Sequence, residues 1–237
     1  MEFYPPIDWT GHRLHAAAIS GNSDEVRRLI AEGADVNERL DLDINGQQDV
    51  AGSPLHVALR NCAYDSPSFA GGDRHLEVVK ILLAAGADVR SPRKWEGTPL
   101  HDAARLGLIH VAELLIASGA DVNSKEDAER RTPLHLAAAN GRLKMVDYLL
   151  SRGAAIDAVA DWKPPLHAAI RFSGDRGKTP LQLAAEKGHV AVVKRLLDAG
   201  ACDDRVALDL ATQAKQASND RFDEIIALLS SQAHSGA

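Results

Sequence analysis

The stretch Thr98-Pro99-Leu100-His101-Asp102-Ala103-Ala104 decides the fold, because it returns as Thr132-Pro133-Leu134-His135-Leu136-Ala137-Ala138. Threonine is a good residue for capping the start of a helix. Proline fits the first helical turn, where its missing N–H costs nothing. The phrase therefore predicts the beginning of a short helix. Weaker copies begin at Arg13, Ser53, Pro164 and Thr179.

A second phrase ends each unit. Val111, Leu114 and Leu115 precede Gly119-Ala120, and similar apolar residues precede the Gly-Ala pairs at 33, 86, 153 and 200. Apolar residues three and four positions apart lie on one face of a helix. The glycine then stands where a left-handed helix end is expected. Each unit is thus predicted to contain two helices, the second of which is amphipathic.

This two-part motif resembles the ankyrin repeat, which has a period of about 33 residues and a T-P-L-H-x-A signature. The resemblance covers about residues 9 to 231. It implies an all-α fold: an ankyrin-repeat solenoid of stacked antiparallel helix pairs joined by β-hairpin-like loops, within a single domain over residues 1–237. It also implies that the signature histidine ties neighbouring hairpin loops together through hydrogen bonds.

The spacing of the motifs predicts repeats with insertions. Repeats are expected at about 9–37, 50–89, 95–123, 130–157 and 162–202, followed by a C-terminal capping unit at 203–231. Insertions are expected near 38–52, 61–74 and 163–178. Pro165 and Pro180 both open a first-helix phrase. The segment between them is either a decayed repeat without its second helix or a duplicated first-helix segment in one repeat.

Composition and charge narrow the class of partner. The net charge of -6, from 27 basic and 33 acidic residues, argues against a nucleic-acid partner. No apolar run approaches the ~20 residues of a membrane span, and no secretory leader is visible, so a cytoplasmic protein is expected. Cys62 and Cys202 are too few for a disulfide framework.

The histidines and nucleophiles give no sign of catalysis. Five of the ten histidines hold the signature position, one per repeat, so they are too far apart to share a metal ion. Nucleophile and phosphate-loop motifs are absent from the sequence. We therefore expect a protein that is not an enzyme and has no metal site and no cofactor. The signature histidines are His15, His56, His101, His135 and His167.

The resemblance implies that partners contact the hairpin tips and the exposed end of each first helix. Trp9, Trp95 and Trp162 share one repeat position at a hairpin tip. An exposed tryptophan is typical of a binding hot spot. The predicted contact residues are Trp9, Arg93, Lys94, Trp95, Glu96, Arg105, Leu106, Glu126, Asp127, Glu129, Arg130, Asn140, Trp162 and Phe172.

The sequence therefore favours a monomeric binding module that recognises a protein partner, as an inhibitor or as a scaffold. Two other classes are weighed against it. One is an enzyme with its site in an insertion, which the absence of a catalytic group set disfavours. The other is a structural protein that assembles with itself.

Overall fold

The computed structural model describes residues 11–40, 52–62, 74–93, 97–126, 130–160, 177–202, 205–215 and 221–232. These residues contain twelve α-helices and, in place of a sheet, isolated bridge residues, among them the antiparallel pair Leu40 and Gly52. The all-α repeat fold is thereby confirmed. The helices are α1 Arg13–Ser20, α2 Ser23–Ala31, α3 Pro54–Cys62, α4 Arg74–Ala84, α5 Pro99–Leu106, α6 Ile109–Ala117, α7 Pro133–Ala139, α8 Leu143–Ser151, α9 Pro180–Glu186, α10 Val190–Asp198, α11 Val206–Lys215 and α12 Arg221–Gln232.

The first helix of a pair begins as its sequence predicts. Thr98, Thr132 and Thr179 are the N-cap residues of α5, α7 and α9, and a proline follows each of them. In all three helices the third helical residue reaches back to the backbone N–H of the cap, which forms a capping box. The helix α5 ends at Gly107, whose φ of 81° lies in the left-handed region that glycine tolerates.

The chain forms two compact units, Met1–Lys94 and Trp95–Ala237. In the first unit α1 pairs with α2 and α3 pairs with α4. The two pairs stack so that α1 contacts α3 and α2 contacts α4. Leu55, Leu59 and Leu82 are fully buried between them.

The second unit repeats this arrangement four times. The pairs are α5 with α6, α7 with α8, α9 with α10, and α11 with α12. First helices contact the first helices of the adjacent pair, and the same holds for second helices. Each pair contributes fully buried side chains to the shared core, among them Leu100, Leu134, Leu181 and Ile225. Each pair thus covers the apolar face of its neighbour, as stacked repeats require.

The described residues on either side of two long segments are joined by backbone hydrogen bonds. In the first unit, Leu40 and Gly52 exchange backbone hydrogen bonds of 3.0 and 2.9 Å around residues 41–51. In the second unit, Ala160 accepts from Gly177 N–H at 2.7 Å and donates to Lys178 O at 3.2 Å. Because α9 packs directly on α7, the Pro180 phrase opens the layer after α7/α8. The Pro165 phrase lies outside the described residues.

Candidate protein-docking surface

Two of the signature histidines, His101 and His135, hold the hairpins in place through both ring nitrogens. In α5, Nδ1 of His101 accepts from the backbone N–H of Thr98 at 3.1 Å. His135 accepts from Thr132 N–H at the same distance. A ring nitrogen that accepts carries no proton, so the proton of the neutral ring lies on Nε2. The local cap therefore sets the tautomer of each histidine.

The protonated Nε2 then donates to the next repeat. The acceptors are Arg131 O for His101 and Lys178 O for His135, both at 3.1 Å. His15 likewise donates to Gly52 O at 3.2 Å. In each case the acceptor is the residue directly before the next cap. One buried side chain thus joins the start of its own helix to the hairpin of the following repeat.

Burial keeps these rings neutral. It lowers the pKa of His101 and that of His135 from 6.5 to about 4, although the carbonyl acceptors Arg131 and Lys178 pull in the opposite direction. The pKa of His15 is lowered for the same reason. These hydrogen bonds require a neutral ring, because a protonated Nδ1 could no longer accept from the N–H of the cap residue.

Asparagine side chains make a second set of links between successive loops. Asn37 donates to Gly86 O at 3.2 Å and accepts from Asp88 N–H at 2.7 Å. Asn123 makes the equivalent pair of bonds with Gly153 O and Ala155 N–H at 3.2 and 2.8 Å. These links and the histidine hydrogen bonds fix the backbone of neighbouring repeats within each unit. The surface above them is therefore pre-organised.

The C-terminal ends of the first helices in the second unit form one surface, which we call the helix-end surface. Its members are Arg105, Leu106, Asn140, Glu186 and Lys187. Leu106 is half-buried, whereas Asn140 and Lys187 are exposed. Arg105 is bound to the buried carboxylate of Asp102 at 2.6 Å. The surface therefore mixes a partly exposed apolar side chain with groups of both charge signs.

Comparison with protein families gives the same repeat pattern. A model of three-copy ankyrin repeats matches residues 68–160 and 124–176, and a model of the single ankyrin repeat matches residues 13–40 and 176–209. The chain belongs to the ankyrin-repeat family. Ankyrin repeats are generally protein–protein interaction modules, and the family is typically non-enzymatic.

One curated relative is an ion channel. Over 109 residues this chain is 31% identical to Potassium channel KOR1 of Oryza sativa subsp. japonica, which is 46% of this chain and 10% of the channel. The ankyrin-repeat chain thus spans about a tenth of the length of that relative. Among its described residues, no helix is long and apolar enough to cross a membrane.

The structure places four of the predicted contact residues at or near the surface of the ankyrin repeats. Arg130 and Asn140 are exposed, while Arg105 and Leu106 are half-buried. Arg130 has a φ of 57°, in a turn closed by a 3.0 Å bond from Glu126 N–H to Arg131 O. Eight predicted residues lie outside the described part of the chain: Trp9, Lys94, Trp95, Glu96, Asp127, Glu129, Trp162 and Phe172.

The remaining two predicted residues require a correction. Arg93 is 1% exposed and Glu126 is 2% exposed, so neither offers its side chain to a partner. The stem of Arg93 lies against Gly52, where an added Cβ would come within 3.1 Å of the arginine Cδ. Glu126 forms an ion pair with Arg131 across its own hairpin. Their positions at the hairpin tips suggested contact with a partner, but both side chains are buried.

Some polar residues of possible functional interest were missed by the sequence analysis. Asp102 is buried although it occupies the variable position of the signature, and it holds Arg105. His12 and Glu38 lie beside the signature residue His15 at the start of the first unit. Their signal in the sequence was a departure from the repeat pattern, since His12 stands where α3, α5, α7 and α9 have serine or threonine.

Proposed function

We propose that this ankyrin-repeat chain binds a protein partner through its hairpin tips and the helix-end surface, on the concave face that family resemblance implies. The observation that supports it most is Leu106, an apolar side chain left partly exposed beside Arg105 and the exposed Asn140. Apolar and arginine side chains on a rigid surface suit a binding hot spot.

Rigidity favours this surface as a docking site. Arg142 donates to Arg105 O at 3.1 Å, which joins the end of α5 to the start of α8. The imidazole of His189 lies at 2.9 Å from Ala139 O, which joins the end of α7 to the start of α10. Binding to a surface held by such bonds costs little ordering of the backbone.

The charges of the helix-end surface suit a partner with patches of both signs. Glu186 is bound to Lys178 at 2.8 Å, and the neighbouring Lys187 is exposed. Such a surface steers association and selects a partner more than it adds raw affinity. We therefore expect binding that weakens moderately as salt rises, without the steep dependence of nucleic-acid binding.

An affinity pull-down followed by mass spectrometry tests the proposal. The bait is the full chain, compared with a double variant of the helix-end surface, Leu106→Arg with Asn140→Arg. The matched control reverses two exposed charges on second helices, Glu113→Lys with Lys144→Glu. Circular dichroism must show the same helix content for all three proteins.

A protein retained by the natural chain and the control but lost from the helix-end variant supports the proposal. A protein that is lost only from the control variant would contradict the proposal and indicate that the partner binds the second helices. Trp95→Ala extends the test to a predicted hairpin tip and is expected to weaken the same interaction without unfolding the chain. Unchanged affinity would remove Trp95 from the interface.

The stoichiometry of the complex and its effect on the partner's activity distinguish an inhibitor from a scaffold. An inhibitor would abolish the activity of an enzyme partner in a one-to-one complex, whereas a scaffold would hold two different partners together. Light scattering of the purified complex, combined with an activity assay of the partner, separates these two roles. Light scattering of the chain alone tests the expected monomer against self-assembly.

A further inference from the structure

Three potential metal ligands converge at the start of the first unit. Nδ1 of His12 lies 3.0 Å from Oε1 of Glu38, and Nδ1 of His15 lies 3.6 Å from Oε2 of the same carboxylate. All three ligand atoms lie within 4.8 Å of one another. The two imidazole rings are nearly perpendicular, at 86°. Both Nδ1 atoms can therefore point at one centre without the rings colliding.

The cluster is specific to the first repeat. The position of His12, directly before the first helix, is held at α3, α5, α7 and α9 by Ser53, Thr98, Thr132 and Thr179. The position of Glu38, four residues after the alanine of the Gly-Ala pair, is held elsewhere by Ser91, Ser124, Ala158 and Arg205. Two departures from the repeat pattern thus meet at one signature histidine. General requirements of the fold do not explain this pairing, because the other repeats fold without it.

His15 differs from the other signature histidines in what its Nδ1 contacts. The ring is fully buried, and Nδ1 has no hydrogen-bond partner. His101 and His135 instead accept at Nδ1 from their threonine caps. Because Nε2 of His15 donates to Gly52 O, its Nδ1 lone pair faces the Glu38 carboxylate. A positive charge between two acceptors that face each other, such as a metal ion, would favour this arrangement.

We propose that Nδ1 of His12, Nδ1 of His15 and the carboxylate of Glu38 bind a Zn²⁺ ion. Ligand bonds of about 2.0–2.2 Å in a tetrahedral site place the ligand atoms about 3.3 Å apart. The two nitrogen–oxygen distances here are 3.0 and 3.6 Å, each to a different oxygen of Glu38, so a small rotation of the carboxylate completes the site. Two imidazoles and a carboxylate form a donor set that suits zinc. The bond from His15 Nε2 to Gly52 O is the backbone support that zinc-bound histidines generally have.

The site is accessible and partly prepared for the ion. The side chains of His12 and Glu38 are 32% and 37% exposed. Glu38 also lines an open cleft of about 500 Å³ together with Leu14, Leu29 and Asp35. Zinc would replace the proton shared between His12 Nδ1 and Glu38, and that proton would move to Nε2 of His12 or to solvent. Three protein ligands leave one coordination position for water.

Zinc bound here would join α1 to the first arm of the hairpin that follows α2. His12 caps α1, and Glu38 lies two residues before Leu40, whose bridge to Gly52 closes residues 41–51. Because the ion binds only the folded arrangement, it would stabilise the first unit. We therefore expect zinc to raise the melting temperature of the chain.

Calorimetric titration of the chelator-treated full chain with ZnCl₂ tests the proposal. His12→Thr and Glu38→Ser are the informative variants, since other repeats of this chain fold with threonine and serine at these positions. His110→Thr is the control, because His110 is a highly exposed histidine on α6. We expect one zinc per natural chain, and a loss of affinity of more than about tenfold in each informative variant only.

Co²⁺ absorption and circular dichroism complete the test. Co²⁺ in place of zinc should give the visible absorption of a tetrahedral ion in the natural chain and in His110→Thr, but not in His12→Thr. Equal zinc affinity in all four proteins would overturn the proposal. So would a natural chain that binds neither ion, whatever the variants do. Circular dichroism checks that each variant is folded before its affinity is compared.

Discussion

Oε1 of Gln182 accepts a hydrogen bond from the backbone N–H of Thr179 at 3.0 Å, the bond that His135 makes with Thr132 at 3.1 Å. Gln182 holds the signature position of α9, where α1, α3, α5 and α7 have histidine. Glutamine carries an acceptor and a donor on one planar group, as neutral imidazole does. The chain thus contains its own example of a signature position without histidine.

This relationship predicts how substitutions of His135 will behave. His135→Ala leaves the Thr132 N–H and the Lys178 carbonyl without their partner, and should lower the free energy of unfolding by about 1–3 kcal/mol. His135→Gln should retain most of that stability, because the amide can make the cap bond seen at Gln182. Urea unfolding of both variants measures the difference. Equal losses in the two would show that the ring contributes packing rather than hydrogen bonds.

The low pKa values of His101 and His135 predict loss of stability in acid. Both are about 4 in the folded chain, whereas an unfolded histidine titrates near 6.5. Below pH 6.5 the unfolded chain therefore binds protons that the folded chain does not. Stability should fall as the pH drops from 6.5 toward 4, by up to roughly 3 kcal/mol per histidine.

Urea unfolding at several pH values checks this window. Since carboxylates also titrate near its lower end, the natural chain is compared with His135→Gln, which lacks one of the two rings whose pKa is about 4. The variant should lose less stability between pH 6.5 and pH 4. The exposed His110→Gln should follow the natural chain. If His135→Gln did so as well, the ring of His135 would not be the titrating group.

Leu115→Asp is expected to unfold at least the repeats around it. Leu115 is fully buried on α6, so the substitution places a carboxylate in an apolar core at a cost of several kcal/mol. Ala117→Asp is the matched control, since Ala117 is exposed on the same helix. Circular dichroism should show lost helix content in the first variant only. A natively helical Leu115→Asp protein would contradict the core assignment.

Gly141→Ala should destabilise the chain more than Gly153→Ala does. Both glycines have positive φ values, 65° and 84°, where a side chain costs about 1–2 kcal/mol. An added Cβ at Gly141 would also come within 2.7 Å of Nδ1 of His189, whereas Gly153 has open space around it. The difference between the two melting temperatures measures the contact with His189. No difference would mean that the imidazole moves aside freely.

Local rules predicted the helices well. Thr98-Pro99 and Thr132-Pro133 begin α5 and α7 because capping depends only on residues close in sequence. The apolar stripe from Val111 to Leu115 is likewise a local pattern. Val111 and Leu115 are buried, as the pattern predicted. Surface exposure was predicted less well. Arg93 and Glu126 have polar side chains, yet the hairpins bury them.

The sequence by itself determined the family, the all-α repeat fold and the helix starts, because these depend on contacts between residues close along the chain and on a motif that recurs. Only the tertiary structure decided that α9 packs directly on α7, and that His12 and Glu38 converge on His15. The first depends on the stacking of whole repeats on either side of residues 161–176. The second depends on the packing within the first repeat that brings Glu38 back beside α1. The departures from the repeat pattern at His12 and Glu38 are visible in the sequence, but their meeting at His15 is not.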